Sequence, residues 1–249
     1  MNRFAFHTLA ILLLFIGHEG HAQFKADPKP ISAGWQMGIS TSYKGAGFSL
    51  HYLKGSDNQQ YVAGLDLNMV RDGREYRSTS FFGNQGKKYV FGKLNNLIVL
   101  SPSVGIQKNI FPAGAGNLLN LRLGAKVGPA IGLLNPYYLE IFAPVAGRPQ
   151  LGDRVVEAYD PTVHTYTSIV GRAPILSSPL DLSTQIGVSA KTYALLDFSN
   201  HSEAIRAIQV GVNVDWFPSA VPIMADFIEA RNNQLFFAVH IGLVLGNRW

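Results

Sequence analysis

The end of the chain decides the fold: residues 234–249 read QLFFAVHIGLVLGNRW, with large apolar residues at every second position. Successive side chains of a β-strand point to opposite faces, so a strand here has one face of hydrocarbon only. That face carries Leu235, Phe237, Val239, Ile241, Leu243 and Leu245. The other face contains His240 and Gly242. This strand is too apolar for an ordinary surface strand, and it ends on Trp249.

The same alternation recurs along the chain. A clear example is segment 119–131, where leucines on one face oppose Arg122 and Lys126 on the other. The predicted strands are 35–43, 47–53, 61–70, 90–106, 119–131, 184–196, 207–216 and 235–249. The sequence therefore predicts eight strands.

The polar faces of these strands indicate how the sheet is arranged. In a water-soluble sandwich the outward face is usually rich in charged side chains. Here the polar face is mainly Gly, Ser, Asn and Gln, which suits a narrow lumen better than a solvent face. Closing the sheet also pairs every backbone N–H and C=O, as lipid requires. We therefore predict an all-β fold, a closed antiparallel transmembrane up-and-down β-barrel with eight strands.

The lengths of the connections support a membrane barrel and predict which of its ends faces outward. Outer-membrane barrels have short periplasmic turns and longer outward loops, and here 71–88, 135–180 and 217–233 alternate with the shorter 54–60, 107–117 and 197–206. The first connection, 44–46, is a tight turn. Two aromatic belts are expected, Trp35, Tyr52, Tyr61 and Trp249 at the inner rim and Tyr43, Phe48, Trp216 and Phe237 at the outer rim. If 137–142 also spans, a further strand within 220–230 gives ten strands as the alternative.

The N-terminus predicts export. Arg3 precedes an apolar run over residues 4–17, and Gly20-His21-Ala22 matches a signal-peptidase site. We therefore predict a cleaved signal peptide over 1–22 and the barrel domain over 23–249, in the cell outer membrane. The chain has no cysteine, which excludes disulfides and thiol chemistry. Its net charge of +5 is scattered, so nucleic-acid binding is not predicted.

Several segments resemble a known group of proteins. The terminal VLGNRW is similar to the last strand of small Gram-negative outer-membrane β-barrel proteins, which typically ends in an aromatic residue read by the barrel-assembly machinery. Residues 91–96, 135–140, 221–225 and 246–249 resemble uncharacterised barrels of the Bacteroidetes. The resemblance covers the whole mature chain. It implies a fold, a membrane and contact with lipopolysaccharide and with the assembly machinery through Trp249, but no reaction.

Some barrels of this size are enzymes, so the inward polar residues need individual consideration. His240 and Asp215 are predicted on neighbouring strands, and His51 also faces inward. Together with a serine they would suggest a lipid-modifying or proteolytic barrel enzyme. The nearest nucleophile pattern, Gly187-Val-Ser189-Ala-Lys191, lacks the last glycine. We therefore expect no catalytic residue and interpret these groups as hydrogen-bond partners in the lumen.

The inward charges allow two interpretations. Asp66, Lys93, Arg122, Lys126, Lys191 and Asp215 are predicted to face the lumen. Buried charges persist when paired, so a salt-bridge network that plugs the barrel is expected. The excess of basic groups leaves a narrow diffusion channel with a basic lumen as the alternative.

We expect neither a metal nor a cofactor. His18 and His21 belong to the signal peptide, and His51, His164, His201 and His240 lie on separate segments. The Gly114-Ala-Gly116 pair is predicted to be a turn, because the third glycine and the helix of a nucleotide site are missing. The sequence thus favours a non-enzymatic barrel with a structural or interaction role through loops 135–180 and 217–233.

Overall fold

A computed structural model describes residues 33–56, 58–80, 88–111, 119–142, 154–174, 181–199, 203–226 and 231–249. The predicted signal peptide, the Gly114–Gly116 turn and His201 lie outside these ranges. The strands in the described part are β1 (Ala33–Ser42), β2 (Gly45–Gly55), β3 (Gln59–Val70), β4 (Arg77–Ser78), β5 (Tyr89–Val90), β6 (Asn95–Phe111), β7 (Asn120–Pro136), β8 (Tyr138–Phe142), β9 (Arg154–Ala158), β10 (Ile169–Arg172), β11 (Ser183–Asp197), β12 (Ala204–Trp216) and β13 (Leu235–Arg248).

Eight of these strands form one closed barrel in the order β1-β13-β12-β11-β7-β6-β3-β2, which confirms the predicted fold class. Every neighbouring pair is antiparallel, and β1 pairs with β13 from Gly34↔Arg248 to Ser42↔His240. Ala33 and Trp249 close the seam between β1 and β13. The Trp249 N–H donates to the Ala33 carbonyl at 2.9 Å, and the Ala33 N–H donates to the Trp249 carbonyl at 3.1 Å.

The barrel has its apolar side outward, as predicted. In β13, Ile241 is 53% exposed and the neighbouring His240 only 6%. In β7, Leu123 is 46% exposed and Arg122 only 1%. A soluble β-protein has the reverse arrangement, with hydrocarbon in a dry centre. The predicted aromatic residues of both belts are all exposed on this outward surface: Trp35, Tyr52, Tyr61 and Trp249, and Tyr43, Phe48, Trp216 and Phe237.

The connections confirm the predicted alternation. At one end of the barrel, which we call the outer end, three long connections over 71–94, 137–182 and 217–234 accompany a two-residue turn, Tyr43 and Lys44. At the inner end the connections are shorter, over 56–58, 112–119 and 198–203. After the tight turn Gly45 has φ +155°, and a Cβ there would lie 1.9 Å from the Met69 carbonyl oxygen. Only glycine fits this close approach.

The structure differs from the sequence-based expectations at one strand boundary and in the alternative strand count. Strand β6 begins at Asn95 instead of 90, so Lys93 lies above the barrel and not in its wall. The ten-strand alternative is wrong, because β8 pairs with β9 and β10 in a separate sheet. The reason is that Leu139 and Ile141 are buried in an apolar cluster formed by the loops and not in the barrel wall. Strand β4 pairs with β5 in a two-stranded sheet.

Candidate functional site

The outer mouth of the lumen is filled by an apolar cluster, which we call the outer plug. Its members are Val70, Val90, Leu97, Val99, Ala130, Leu134, Phe217, Val221, Ile223, Met224 and Phe236. The connection after β12 folds back into the mouth, where its Ile223 carbonyl accepts hydrogen bonds from the Leu94 and Asn95 N–H groups at 2.9 and 3.2 Å. Asn95 Nδ2 also donates to the Pro222 carbonyl at 2.7 Å. The segment is therefore fixed in place by backbone hydrogen bonds as well as by packing.

A second apolar cluster, the inner plug, fills the lumen towards the inner end. It consists of Leu53, Val62, Tyr193, Leu195, Ile205, Ala207 and Val244. The Tyr193 ring packs against Gly124, where a Cβ would lie 2.2 Å from the ring. Beyond this cluster Arg248 forms an ion pair with Asp197. The lumen is thus obstructed by side chains at both ends.

A polar group lies between the two plugs, and we call it the Asp66 cluster. Lys126 Nζ donates to Asp66 Oδ2 at 2.5 Å and Lys191 Nζ donates to Asp66 Oδ1 at 3.2 Å. His51 Nε2 lies 3.3 Å from Asp66 Oδ2 and also contacts Lys126 Nζ. Ser103 Oγ donates to the same carboxylate at 3.2 Å. One buried carboxylate therefore compensates two buried ammonium groups.

The remaining predicted inward residues do not join this cluster. Arg122 is inward and donates to Gln60 Oε1 at 3.0 Å. Asp215 is inward but accepts from Asn213 Nδ2 at 2.6 Å and has no ion pair among the described residues. Lys93, predicted to face the lumen, instead donates to Glu75 Oε2 at 2.7 Å above the barrel. The structure therefore brings together only part of the predicted network.

The geometry that the enzyme alternative requires is not met in the described part of the chain. His240 is opposite Gly211 and Asp215 is opposite Phe236, so four residues of strand, about 13 Å, separate their levels. His240 Nε2 instead contacts Gln209 Nε2 at 3.1 Å. Ser189 Oγ contacts Asn213 at 3.5 Å and not a histidine. His51 does lie beside Asp66, but both are buried between the plugs, away from the outer rim.

The outer loops form a small folded unit, which we call the loop platform. Strands β10, β8 and β9 form its sheet, and Tyr89, Tyr137, Leu139, Ile141, Tyr159 and Ile169 form its apolar core. The Tyr137 hydroxyl accepts a hydrogen bond from the Val90 N–H at 3.1 Å, which ties the platform to the outer plug. Burial, and then the negative charge of neighbouring tyrosines, raises the pKa of Tyr89 to about 12.

A polar network connects the first and the last long loops. Arg74 forms an ion pair with Asp72 at 2.9 Å, and its Nη2 donates to Asn232 Oδ1 at 3.0 Å. Burial alone would raise the pKa of Asp72, but the hydrogen bonds and charge of Arg74 outweigh it and hold this pKa below its usual value. The two loops are therefore joined above the plug.

The sequence pattern did not identify several polar residues of the lumen, and it did not predict that the outer plug forms as a cluster. Asp197 lies one residue beyond the predicted strand 184–196. Arg248 lies inside the predicted strand 235–249 but beyond Leu245, where the alternating set ended. Both residues continue the inward periodicity of their strands. Phe217, Val221 and Ile223 gave no periodic signal because they belong to an irregular, proline-containing connection. No group of three or more His, Cys, Asp or Glu side chains in the described ranges is arranged to hold a metal ion. None of the described residues forms a helix long and apolar enough to span a membrane.

No protein-family model matches the sequence, and a search of curated proteins gave no match. Solved structures with some likeness include Neisserial surface protein A, at 8% identity and a TM-score of 0.35, covering 88% of this chain and 94% of that chain. Another is the N-terminal β-barrel domain of OprF from Pseudomonas aeruginosa, at 8% and 0.38, with coverages of 88% and 98%. A third is Ail of Yersinia pestis, in complex with the heparin analogue sucrose octasulfate, at 9% and 0.38, with coverages of 88% and 97%. At such low identities and scores these likenesses carry no argument about what this chain binds or does.

Proposed function

We propose that the protein is an integral outer-membrane barrel that holds the loop platform at the cell surface as an interaction surface for another envelope molecule, and that it has no enzymatic role. The main observation in support of this role is that the outer loops have an apolar core of their own, in which Leu139 and Ile169 are fully buried. Loops that merely connect strands bury little apolar surface. The apolar outward face of the barrel supports placement in a bilayer.

The test is site-specific photo-crosslinking in cells. Probes at Tyr76 and Val163, which are 78% and 66% exposed in the outer loops, are expected to give discrete adducts with an envelope component. A probe at Phe111, 61% exposed at the inner end of β6, is the control and should not give the same adducts. Absence of adducts from every loop position, with the barrel folded, would reject the interaction role.

The channel alternative receives no support from the lumen. Leu97, Val99, Phe217 and Ile223 of the outer plug are each at most 2% exposed, and Leu53 and Leu195 of the inner plug are fully buried. Apolar constrictions oppose ion passage by excluding water. Purified folded protein in planar bilayers should therefore carry no steady current. A reproducible single-channel conductance would revive the alternative.

Assembly through the C-terminal strand is a further part of the proposal. Trp249 closes the β1–β13 seam through two backbone hydrogen bonds, and its side chain is 58% exposed on the outward surface. The outward-facing indole of Trp249 beside the seam fits recognition by the barrel-assembly machinery, and the resemblance to Bacteroidetes barrels supports the same partner. Trp249→Ala should lower the yield of folded protein in cells and leave refolding of the purified chain in detergent nearly unchanged. Equal losses in both settings would point to stability alone.

A further inference from the structure

A small cavity lies in the lumen beside the turn between β1 and β2. Its volume is about 30 Å³, and Val70 and Phe236 of the outer plug form part of its wall. The polar part of the wall consists of Ser40, Ser42, Asn68, Asn213, Asp215 and His240. A single water molecule needs about 10–15 Å³ of such space, so the cavity suits a ligand of about two atoms and excludes sugars, peptides and lipids.

The cavity wall contains a buried carboxylate that has no counter-charge. Asp215 is 2% exposed, and its Oδ2 accepts a hydrogen bond from Asn213 Nδ2 at 2.6 Å, whereas its Oδ1 has no hydrogen-bond partner among the described residues. The buried Lys126 and Lys191 both pair with Asp66, and no cation lies within ion-pair distance of Asp215 in the described ranges. Buried charges persist when they are paired. A cation from solution would supply the partner that the described part of the chain lacks.

Two neutral oxygen atoms approach the cavity from other strands. Gly47 has no side chain, and a Cβ there would lie 2.5 Å from Asn68 Oδ1 and 2.8 Å from Ser40 Oγ. Asn68 and Ser40 line the cavity, as Asp215 does. Asn68 Nδ2 has no hydrogen-bond partner among the described residues, so this amide is able to present its oxygen to a ligand. Oxygen atoms of carboxylates and amides are the ligands that hard cations take in proteins.

We propose that the cavity binds one monovalent inorganic cation such as Na⁺, with Asp215 as its charged ligand and Asn68 and Ser40 as its neutral ligands. A single carboxylate balances a single positive charge, whereas Ca²⁺ sites draw on several carboxylates. No group of three or more His, Cys, Asp or Glu side chains in the described ranges is arranged for a metal ion of that kind. The inference goes beyond the proposed function, because it does not depend on what the loop platform binds.

A cation in this cavity would connect strands on both sides of the closing strand. Ser40 lies on β1 and Asp215 on β12, and β13 separates these two strands in the barrel. Asn68 adds a contact from β3. The ion would therefore hold the outer half of the β1–β13 seam closed, and it should stabilise the folded barrel as its occupancy increases.

The experiment measures urea unfolding of the purified protein in phosphatidylcholine vesicles while NaCl replaces N-methylglucamine chloride at constant ionic strength. The organic cation is too large for the cavity and serves as the reference. A site that is half-saturated at about 10 mM Na⁺ multiplies the folding equilibrium constant by about 20 at about 200 mM. Asp215→Asn should abolish this gain, and Asn68→Ala should reduce it.

Two glycine variants separate loss of the site from a general loss of stability. Gly47→Ala places a methyl group beside Asn68 and Ser40 and should reduce the gain from Na⁺ while the carboxylate remains. Gly38→Ala is the matched control, because its Cβ would lie 2.7 Å from Ser49 Oγ but Gly38 is not part of the cavity wall. It should retain the gain. Each variant is compared with its own stability in N-methylglucamine chloride.

Lys44 provides the competing explanation. It also lines the cavity, but its Nζ lies over the Tyr43 and Phe236 rings, at 5.5 and 5.8 Å from their centres. Lys44→Met removes a nearby positive charge and should increase the gain from Na⁺. If the gain appears only in Lys44→Met, this lysine is the counter-ion of Asp215 in solution and the inference is wrong. Equal stability of wild type in both salts, or an unchanged gain in Asp215→Asn, would also overturn it.

Discussion

Removal of the Asp66 carboxylate should be the most destabilising single polar change in the lumen. Lys126, Lys191 and Asp66 are 5%, 6% and 3% exposed, and in Asp66→Asn both ammonium groups lose their only carboxylate within ion-pair distance among the described residues. Breaking one buried ion pair costs about 3–5 kcal/mol, and two pairs share this acid, so we expect a loss of about 5 kcal/mol in the free energy of unfolding.

The matched control is Asp215→Asn. Asp215 is as buried as Asp66, at 2% exposure, but it accepts hydrogen bonds from neutral side chains such as Asn213 and has no ion pair among the described residues. Its replacement should cost about 1 kcal/mol. Both variants are measured by urea unfolding in lipid vesicles, followed by the fluorescence of the three tryptophans.

A double variant distinguishes the loss of ion pairs from a general failure of Asp66→Asn to fold. In Asp66→Asn with Lys191→Met one of the two uncompensated charges is removed, so part of the lost stability should return. The reasoning is refuted if Asp66→Asn unfolds within about 1 kcal/mol of wild type, or if Asp215→Asn costs as much.

Three further outcomes are expected. Ile241→Arg places a charge on the outward hydrocarbon face and should lower folding free energy in vesicles by about 2–4 kcal/mol, measured by urea titration; no loss would contradict the membrane orientation. Gly124→Val should displace the Tyr193 ring and lower stability, with partial recovery in Gly124→Val/Tyr193→Leu, read as urea midpoints. The pKa of Asp72 is lowered, so its contact with Arg74 is fully present above pH 3.8 and is lost as the pH falls through the pKa of the folded state. The Arg74 amide donates to Asp72 at 2.9 Å, and its hydrogen exchange should therefore accelerate only below pH 3.8. In Asp72→Asn this acid step should be missing, and a step of equal size there would contradict the assignment.

The wall of the barrel was predictable because its strands share one alternating pattern. A closed barrel in a bilayer satisfies this pattern when apolar residues such as Ile241 and Leu123 face outward and Arg122 faces the lumen. The Asp66 cluster was predictable only as a set of inward charges. Which lysine meets which acid depends on strand order and stagger, which alternation does not specify. The outer plug and the loop platform were not predictable, since Ile223 and Ile169 are buried by irregular connections whose contacts are distant in sequence.

The origin of the three charged partners has a consequence for how the barrel forms. Asp66 belongs to β3, Lys126 to β7 and Lys191 to β11, and β6 separates β3 from β7 in the sheet. While that sheet is still open and flat, β3 and β11 are about 14 Å apart, so the acid cannot reach the second base. Lys126 and Lys191, meanwhile, are direct register partners and repel each other. Closure of the barrel brings the Asp66 carboxylate within reach of both ammonium groups, and their attraction to it offsets the repulsion between them. Completion of the cylinder is therefore favoured over any half-assembled intermediate.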